Sequence, residues 1–245
     1  MAKALPLETL PVFGTQNQPA TEFDFNQGAV LLVDKPQTWT SFDAVKYLRG
    51  RVRTKKVGHA GTLDPMATGL LIVCTGKATK SISQLQDMRK EYIGEITFGA
   101  STPSYDADSA PDKTAPFEHI TRDSVQQILD TRFSGDVMQV PPMYSALKRN
   151  GQKLYELARR GKEIELEPRP ITIFEIEMLY FQLPKVTLKI VCSKGTYIRS
   201  IAHDLGLALK SRGHLSGLER TAIGDFRNEY ALTPHQYSDL LKSDG

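Results

Sequence analysis

The sequence of 245 residues has little cysteine and no long apolar run, and both absences exclude classes of protein. Its two cysteines, Cys74 and Cys192, each lie inside a short apolar run, so we expect buried, reduced thiols rather than a disulfide framework. No apolar run approaches the ~18 residues of a membrane span, and the first residues lack the apolar segment of a secretory signal. The sequence therefore predicts a cytoplasmic protein that does not enter a membrane.

Metal and nucleotide motifs are also absent from the sequence. None of the five histidines has a histidine or cysteine partner at ligand spacing, and there is no C-x-x-C, so no structural zinc is expected. The phosphate-cradling loops G-x-x-x-x-G-K-[ST] and G-x-G-x-x-G are missing as well. These absences disfavour metal-dependent, NTP-hydrolysing and dinucleotide-dependent functions.

The small net charge of +3 conceals an uneven distribution of charge. Residues 44–63, 143–162 and 185–215 together carry 18 Lys and Arg against two acids, whereas the rest of the chain carries 13 bases and 26 acids. One basic run is usually a solvated helix face. Three basic runs with almost no acids favour a surface that binds a polyanion such as a nucleic acid.

Predicted strands and helices are intermixed along the chain without regular alternation. Apolar runs and alternation predict strands at 29–33, 70–74, 91–98 and near 218–226, with further strands within 163–193. Helical spacing predicts helices after Thr40, from 82 to 88, 125 to 133, 154 to 160, from Thr196, and from 235 to 242. Residues 54–69, 99–119 and 141–151 are predicted to be loops. This pattern indicates an α+β protein with a mixed, largely antiparallel sheet.

The segment GHAGTLDPMATGLL, residues 58–71, carries the first candidate catalytic group. Asp64 directly precedes Pro65, which disfavours a helix there and holds the aspartate in extended backbone. Asp64 is also the only acid in residues 44–86, among eight Lys and Arg, so nearby positive charge keeps it ionised. Such a carboxylate could act as a nucleophile, a general base or a cation stabiliser. The alternative is that Asp-Pro simply forms a turn.

Two further segments could carry chemistry. Asp106 and Asp108 are similar to the aspartate pair of aspartyl-phosphate hydrolases, but Ala110 replaces the expected Thr or Val, so a solvated loop is the better interpretation. The segment SKGTYIRS, residues 193–200, joins a strand to a helix. There an anion could meet free N–H groups, and Arg199 could pair with a buried carboxylate. The alternative is a capped helix with a solvent-exposed arginine.

Five strings then carry a resemblance to a known family: LLVDKP, GHAGTLDPMATGLL, KEYIGEITFG, PPMYSALKRNGQKLYELARRG and CSKGTYIRSIAHDLG. In this order and spacing they resemble the TruB type of tRNA pseudouridine synthase over residues 28–226. The resemblance implies the α+β pseudouridine synthase fold, a bent mixed sheet flanked by helices and loops. It also implies that the T-loop uridine at tRNA position 55 is isomerised to pseudouridine. This would proceed by base flipping and a C–N to C–C glycosidic rearrangement, without metal or cofactor.

The same resemblance implies three catalytic residues. Asp64 is expected to attack the ribose C1′ or, in another scheme, C6 of the base. Tyr92 is expected to stack on the target base and to help remove the proton from C5. Arg199 is expected to pair with Asp64 and orient it.

Five more residues are expected to contact the substrate or to lie beside it. His59 would hold the flipped-out nucleotide, Tyr197 would lie beside the catalytic group, and Leu218 would contact the uracil. Lys35, in the D-K-P motif, is expected near the active site in a structural role. Lys148, in the basic insertion, is expected at the RNA.

The resemblance also suggests a domain organisation. Residues 1–27 would be an irregular extension, 28–226 the catalytic domain, and about 141–162 an RNA-binding insertion that closes over the T arm. The tail, 227–245, is too short for the PUA domain that many family members carry. The expected partner is the T arm of tRNA, bound by a monomer.

A non-catalytic protein that binds or folds tRNA could use the same basic surface. Such a protein would have no need for a carboxylate in its most basic segment, where the carboxylate repels phosphate. The combination of Asp64, Tyr92, Tyr197 and Arg199 therefore favours the enzyme.

Overall fold

A computed structural model describes residues 5–20, 22–145, 147–149, 151–161 and 164–242. The chain divides into two compact units. We call residues up to 91 and from 219 onwards the terminal unit, and residues 92–218 the central unit.

The described strands and helices follow in chain order. The strands are β1 (Val12–Phe13), β2 (Val30–Lys35), β3 (Val57–Ala60), β4 (Thr68–Thr75), β5 (Lys90–Phe98), β6 (Ala100–Ser101), β7 (Lys113–Thr114), β8 (Gly135–Gln139), β9 (Lys148–Arg149), β10 (Gln152–Lys153), β11 (Arg169–Gln182), β12 (Lys185–Cys192), β13 (Gly213–Ile223) and β14 (Phe226–Arg227). The α-helices are α1 (Ser41–Arg49), α2 (Ile82–Asp87), α3 (Arg122–Arg132), α4 (Leu154–Arg159), α5 (Ile198–Ala208) and α6 (Pro234–Leu240).

Strand β4 is the centre of the terminal unit's sheet. It pairs antiparallel with β2, where Val30 lies opposite Cys74, and antiparallel with β3. Its first residues pair parallel with β13, where Arg220 lies opposite Gly69. Strand β1 adds to β2 in parallel. Both faces of β4 are buried, which explains why its sequence is a continuous apolar run.

The central unit has its own strand order, with residues 213–218 of β13 followed by β5, β12, β11 and β8. Strand β11 pairs antiparallel with both β12 and β8. Along β5, residues 92, 94, 96 and 98 are buried and the residues between them are partly exposed, as the alternation predicted. Helix α5 packs against α3 in this unit.

Helix α1 shows how local sequence sets an element boundary. The Thr40 hydroxyl accepts from the Asp43 N–H, and the Asp43 carboxylate accepts from the Thr40 N–H. This capping box satisfies two backbone donors at the helix start. Val45 and Leu48 are buried on the inner face, as their spacing predicted.

Several sequence-based predictions of elements differ from the structure in detail. Residues 54–69 were predicted to be loop, but Val57–Ala60 forms β3 because β4 offers it a partner. The helix predicted from Thr196 begins at Ile198, and the Thr196 hydroxyl lies outside it, bonded to the Ser193 carbonyl at 2.9 Å. Strand β8 was not predicted, since its pairing with β11 is long-range.

The predicted fold class is confirmed. The structure is α+β, its sheet is mixed, and antiparallel pairs predominate over the parallel pairs β1–β2 and β4–β13. Within the described part of the chain, none of the helices combines the length and the apolar character needed to cross a membrane.

Candidate active site

The loop that carries Asp64 connects β3 to β4 and is held on both sides of the aspartate. The Ser41 hydroxyl accepts from the Leu63 N–H at 2.8 Å and donates to the Leu63 carbonyl at 3.1 Å. On the other side, the Thr38 N–H donates to the Pro65 carbonyl at 2.8 Å. The half-buried Asp64 therefore stands on backbone that residues of the terminal unit hold in place.

Lys35 also holds this loop in place. Its side chain is fully buried, and its ammonium donates to the carbonyls of Trp39 at 2.6 Å, Pro36 at 2.9 Å and Pro65 at 3.5 Å. A buried ammonium needs such acceptors to offset its lost hydration. Lys35 thus joins the end of β2 to the residue that follows Asp64.

Arg220 is a residue that sequence reasoning missed. It is almost fully buried, and its guanidinium donates to the Leu70 carbonyl at 2.7 Å and the Gly61 carbonyl at 3.0 Å. Its backbone lies so close to Gly69 that a Cβ at Gly69 would be 2.5 Å from the Arg220 carbonyl oxygen. Arg220 therefore fixes both ends of the Asp64 loop, and no local pattern in the sequence marks it.

His59 lies on β3 at the start of the same loop. Burial lowers the pKa of its imidazole, and the Arg220 guanidinium lowers the pKa further. The ring is therefore uncharged at neutral pH. Its buried Nδ1 has no hydrogen-bond partner among the described residues.

Arg199 and Asp106 form a buried ion pair in the central unit. The Arg199 guanidinium lies 3.2 Å from the Asp106 carboxylate and donates to the carbonyls of Ser104 at 3.0 Å and Tyr144 at 2.9 Å. Both side chains are about 95% buried. The sequence left open whether Arg199 meets a buried carboxylate or solvent, and the structure gives it the buried Asp106. The pairing of Arg199 with Asp64 stays a prediction.

Asp106 does not lie in a solvated loop, and that prediction was wrong. Its carboxylate accepts from the Ser104 hydroxyl at 2.5 Å and from the Asp108 N–H at 3.1 Å. Asp108 itself is exposed. Because these donors and Arg199 surround the buried Asp106 carboxylate, it stabilises Arg199 and is not accessible to a substrate as a phosphohydrolase nucleophile would be.

Gln139 positions the start of α5 and was also missed. Its side-chain amide donates to the Tyr197 carbonyl at 3.0 Å, and its oxygen accepts from the Tyr197 N–H at 2.8 Å. Tyr197 is the N-terminal cap residue of α5, two residues before Arg199. The buried amide from β8 therefore sets the backbone from which Tyr197 and Arg199 project.

The inner face of β5 brings Tyr92 and Leu218 to the same side of the central unit. Tyr92 and Gly94 share this buried face. A Cβ at Gly94 would lie 3.3 Å from a methyl carbon of Ile198 and 3.8 Å from one of Leu218. The absence of a side chain at Gly94 thus allows the first turn of α5 and Leu218 to approach the strand that carries Tyr92.

The three basic segments differ in how much exposed charge they present. All six Lys and Arg in residues 44–63 are exposed. In the 185–215 segment, Lys185 pairs with Glu95 at 2.8 Å and Lys189 with Glu175 at 3.0 Å, so acids from other strands neutralise part of this segment. In the insertion, Lys148 is on β9, and its side chain lies outside what the structure describes.

Comparisons with solved structures support the fold. A chain in the crystal structure of a Cbf5-Nop10-Gar1 complex matches with a TM-score of 0.69 and 29% identity, covering 97% of this chain and 60% of that one. A chain in an H/ACA RNP bound to a substrate RNA containing 2′-deoxyuridine matches with a TM-score of 0.66 and 27% identity, covering 93% of this chain and 57% of that one. This chain therefore spans less than two thirds of either solved chain.

Sequence comparisons identify the family to which the chain is similar. A model of the TruB family pseudouridylate synthase (N terminal domain) matches residues 49–198. A Bacteroides fragilis tRNA pseudouridine synthase B is 50% identical over 224 residues, which are 89% of this chain and 96% of that protein. A Flavobacterium johnsoniae protein of the same name is 49% identical over 229 residues, 91% of this chain and 100% of that protein.

The fold and the matches define a pseudouridine synthase. Within that class, the chain belongs to the TruB family.

Proposed function

We propose that this protein isomerises uridine to pseudouridine at position 55 in the T loop of tRNA. The observation that carries the proposal is the Asp64 loop, held on both sides of the aspartate, in a chain about 50% identical to enzymes named tRNA pseudouridine synthase B. Because the proposed substrate is tRNA, which is found in the cytoplasm, we propose that the enzyme is cytoplasmic.

The reaction is an isomerisation that needs no oxidant or reductant. The C1′–N1 bond of uridine breaks and a C1′–C5 bond forms, while C5 loses a proton and N1 gains one. A carboxylate can assist by adding to C1′ or to C6, which divides one difficult step into two easier ones. In this proposal Asp64 is that carboxylate, and no metal or cofactor takes part.

The target base lies inside a folded loop and must leave its stack before it can react. Extrusion costs a few kcal/mol, which binding to a pocket must offset. We propose that Tyr92 stacks on the extruded base and assists proton removal from C5, and that Leu218 contacts the uracil. The uncharged His59 holds the nucleotide.

Three residues are proposed to position the site rather than to react. Arg199 orients Asp64, and its buried pairing with Asp106 holds the guanidinium in place. Lys35 holds the loop after Asp64, although the sequence also placed it among the substrate contacts. Tyr197 lies at the start of α5 beside Arg199.

The proposed partner is the T arm of tRNA, bound by a monomer. The exposed Lys and Arg of residues 44–63 supply charge for phosphate binding, and we propose that Lys148 and the insertion around it contact the arm. The surface of an RNA loop is recognised by shape, stacking and backbone charge, which suits such basic segments.

Tritium release from tRNA labelled at uridine C5 tests the proposal. We expect release by the wild type and only background release by Asp64→Asn, which keeps the shape of the side chain but removes the nucleophile. Binding of tRNA by Asp64→Asn should be retained. The matched control is Asp225→Asn, at an exposed position in the same unit, which should release tritium like the wild type.

Each contrary result has a distinct meaning. An active Asp64→Asn protein would show that Asp64 is not the catalytic group. Wild-type protein that binds tRNA but releases no tritium would indicate the non-catalytic tRNA-binding protein instead.

A further inference from the structure

Four side chains gather at the surface of the terminal unit where α1 meets α6, and the proposed chemistry at the uridine uses none of them. The ring centroids of Trp39 and Tyr47 are 5.4 Å apart, and the His235 ring lies 5.6 Å from Trp39 and 5.1 Å from Tyr47. The Arg51 guanidinium lies 4.0 Å from the centre of the Tyr47 ring. We call these four residues the aromatic cluster.

The aromatic cluster is held in place yet accessible. Arg51 donates to the Ser238 hydroxyl at 3.2 Å, which joins the end of α1 to α6. Arg51 and His235 are exposed, and Trp39 and Tyr47 are half-buried. Rings that served the core alone would be buried, whereas these remain partly or fully exposed.

Arg51 of the aromatic cluster belongs to a strongly basic segment of the chain. The six exposed Lys and Arg of residues 44–63 include Arg51 itself and lie on α1 and the segment that follows it. The acids nearby are already engaged: Asp43 is bonded to Thr40 in the capping box, and Asp239 pairs with Lys242 at 2.6 Å. The surface therefore favours an anionic ligand over a cationic one.

The backbone of Trp39 links the aromatic cluster to the Asp64 loop through Lys35. The Lys35 ammonium donates both to the Trp39 carbonyl at 2.6 Å and to the Pro65 carbonyl at 3.5 Å. The backbone of the cluster and the residue that follows Asp64 are thus bound to the same buried group.

We propose that the aromatic cluster binds the tRNA strand adjoining the target uridine. A base or ribose would lie against the rings of Trp39, Tyr47 and His235, and a phosphate against Arg51. Aromatic rings set beside cations are the chemistry with which proteins bind unpaired RNA. The inference rests on the proposed function for the identity of the RNA, and it adds a contact that the uridine chemistry does not require.

Two exposed positions test the aromatic cluster. The probe is an unmodified tRNA transcript, titrated against proteins that also carry Asp64→Asn so that no turnover occurs. We expect His235→Ala to weaken tRNA binding about 5- to 150-fold, because stacking contacts are typically worth about 1–3 kcal/mol each. Arg51→Gln should weaken binding and make its salt dependence shallower by about one unit of the log–log slope, whereas Arg51→Lys should keep the slope.

A matched control and a second readout separate this effect from general loss of charge. Lys80→Gln removes an exposed cation from the same unit and should change affinity less than about twofold. Trp39 is the only tryptophan of the chain, so its fluorescence reports directly on the aromatic cluster. Addition of tRNA should quench this emission. Thermal melting identifies any misfolded variant, and if Arg51→Gln unfolds, His235→Ala at its exposed site supplies the test.

The contrary outcomes are distinguishable from failure of the proposed function. If the wild type releases tritium but His235→Ala and Arg51→Gln bind tRNA like their parent, the aromatic cluster is not an RNA contact. An equal loss of affinity in Lys80→Gln, or Trp39 emission that tRNA leaves unchanged, also overturns the inference. A wild type that neither binds tRNA nor releases tritium overturns the proposed function and this inference together.

Discussion

At the residue scale, the partner of Arg199 illustrates how far sequence can reach. The sequence marks Arg199 as an arginine that could meet a buried carboxylate, and the structure supplies Asp106 at 3.2 Å. Asp106 stands 93 residues earlier in the chain, and its own sequence neighbourhood is typical of a surface loop. Only the folded central unit brings these two residues together and removes both from water.

Arg199→Lys tests the importance of this arrangement. The planar guanidinium bonds Asp106, Ser104 and Tyr144 at once, and an ammonium cannot reproduce that geometry. Since a lost charged hydrogen bond costs about 1.5–3 kcal/mol, we expect kcat for tritium release to fall about 10- to 100-fold.

The control for this prediction is Arg132→Lys, an exposed position on α3 in the same unit, which should turn over like the wild type. Asp106→Asn should approach the effect of Arg199→Lys, because it leaves the buried guanidinium without its counter-charge. Near-normal turnover by both variants would mean that the pair does not orient the site.

At the element scale, helix α5 carries the ion-paired Arg199 in its first turn and apolar core residues along its buried face. Its first turn holds Arg199 against the Asp106 loop, while Ile201, Ala202 and Leu205 are buried at helical spacing as the sequence predicted. The periodicity did not predict the exact start of α5, because Gln139 of β8 binds the backbone of Tyr197 there. Periodicity is a local property, whereas this cap comes from a distant strand.

Asp204, also on α5, makes stability depend on pH. Burial raises the pKa of its carboxyl from 3.8 to about 6. The folded chain therefore holds this proton more tightly than the unfolded chain does. There is no penalty below about pH 4; the penalty grows as the pH rises from about 4 to about 6 and stays constant at higher pH. Asp204→Asn should remove this penalty, worth about 1–2 kcal/mol at pH 8 after allowance for the remaining exposure of the group.

Thermal unfolding between pH 4 and pH 8 measures this effect. The melting temperature of Asp204→Asn relative to the wild type should rise between about pH 4 and pH 6 and then level off, at about 2–8 °C by pH 8. Asp123→Asn, at an exposed position on α3, should show no such trend. A constant difference between Asp204→Asn and the wild type at every pH would contradict the assignment.

At the scale of the whole molecule, the two ends of the chain are joined in the terminal unit. The buried Tyr237 hydroxyl of α6 donates to the Phe13 carbonyl of β1 at 2.7 Å and to the Leu32 carbonyl of β2 at 3.1 Å. The Phe13, Phe23 and Phe25 rings pack edge to face beside it. Residues that were expected to form an irregular extension thus add a strand to the sheet that supports the Asp64 loop.

Tyr237→Phe tests this connection between the chain ends. Removing the hydroxyl takes a donor away from the Phe13 and Leu32 carbonyl groups, of which Leu32 keeps the Leu232 N–H at 3.0 Å. We therefore expect the free energy of unfolding to fall by about 1–3 kcal/mol. Chemical denaturation measures the change. Tyr230→Phe is the matched control, since at Tyr230 it is the backbone carbonyl, rather than the side chain, that accepts from Thr15. Equal stability of Tyr237→Phe and the wild type would show that the hydroxyl does not join the ends.

The sequence by itself determined the strands and helices with strong periodicity, the α+β class, the candidate Asp64 and the family resemblance, because apolar spacing and motif order are local properties that survive without coordinates. Tertiary structure alone decided the buried partners: Asp106 for Arg199, Gln139 for the start of α5, and Arg220 with Lys35 around the Asp64 loop. These contacts join residues far apart in the chain, and each arises because a buried polar group must find its hydrogen-bond partner wherever the fold provides one.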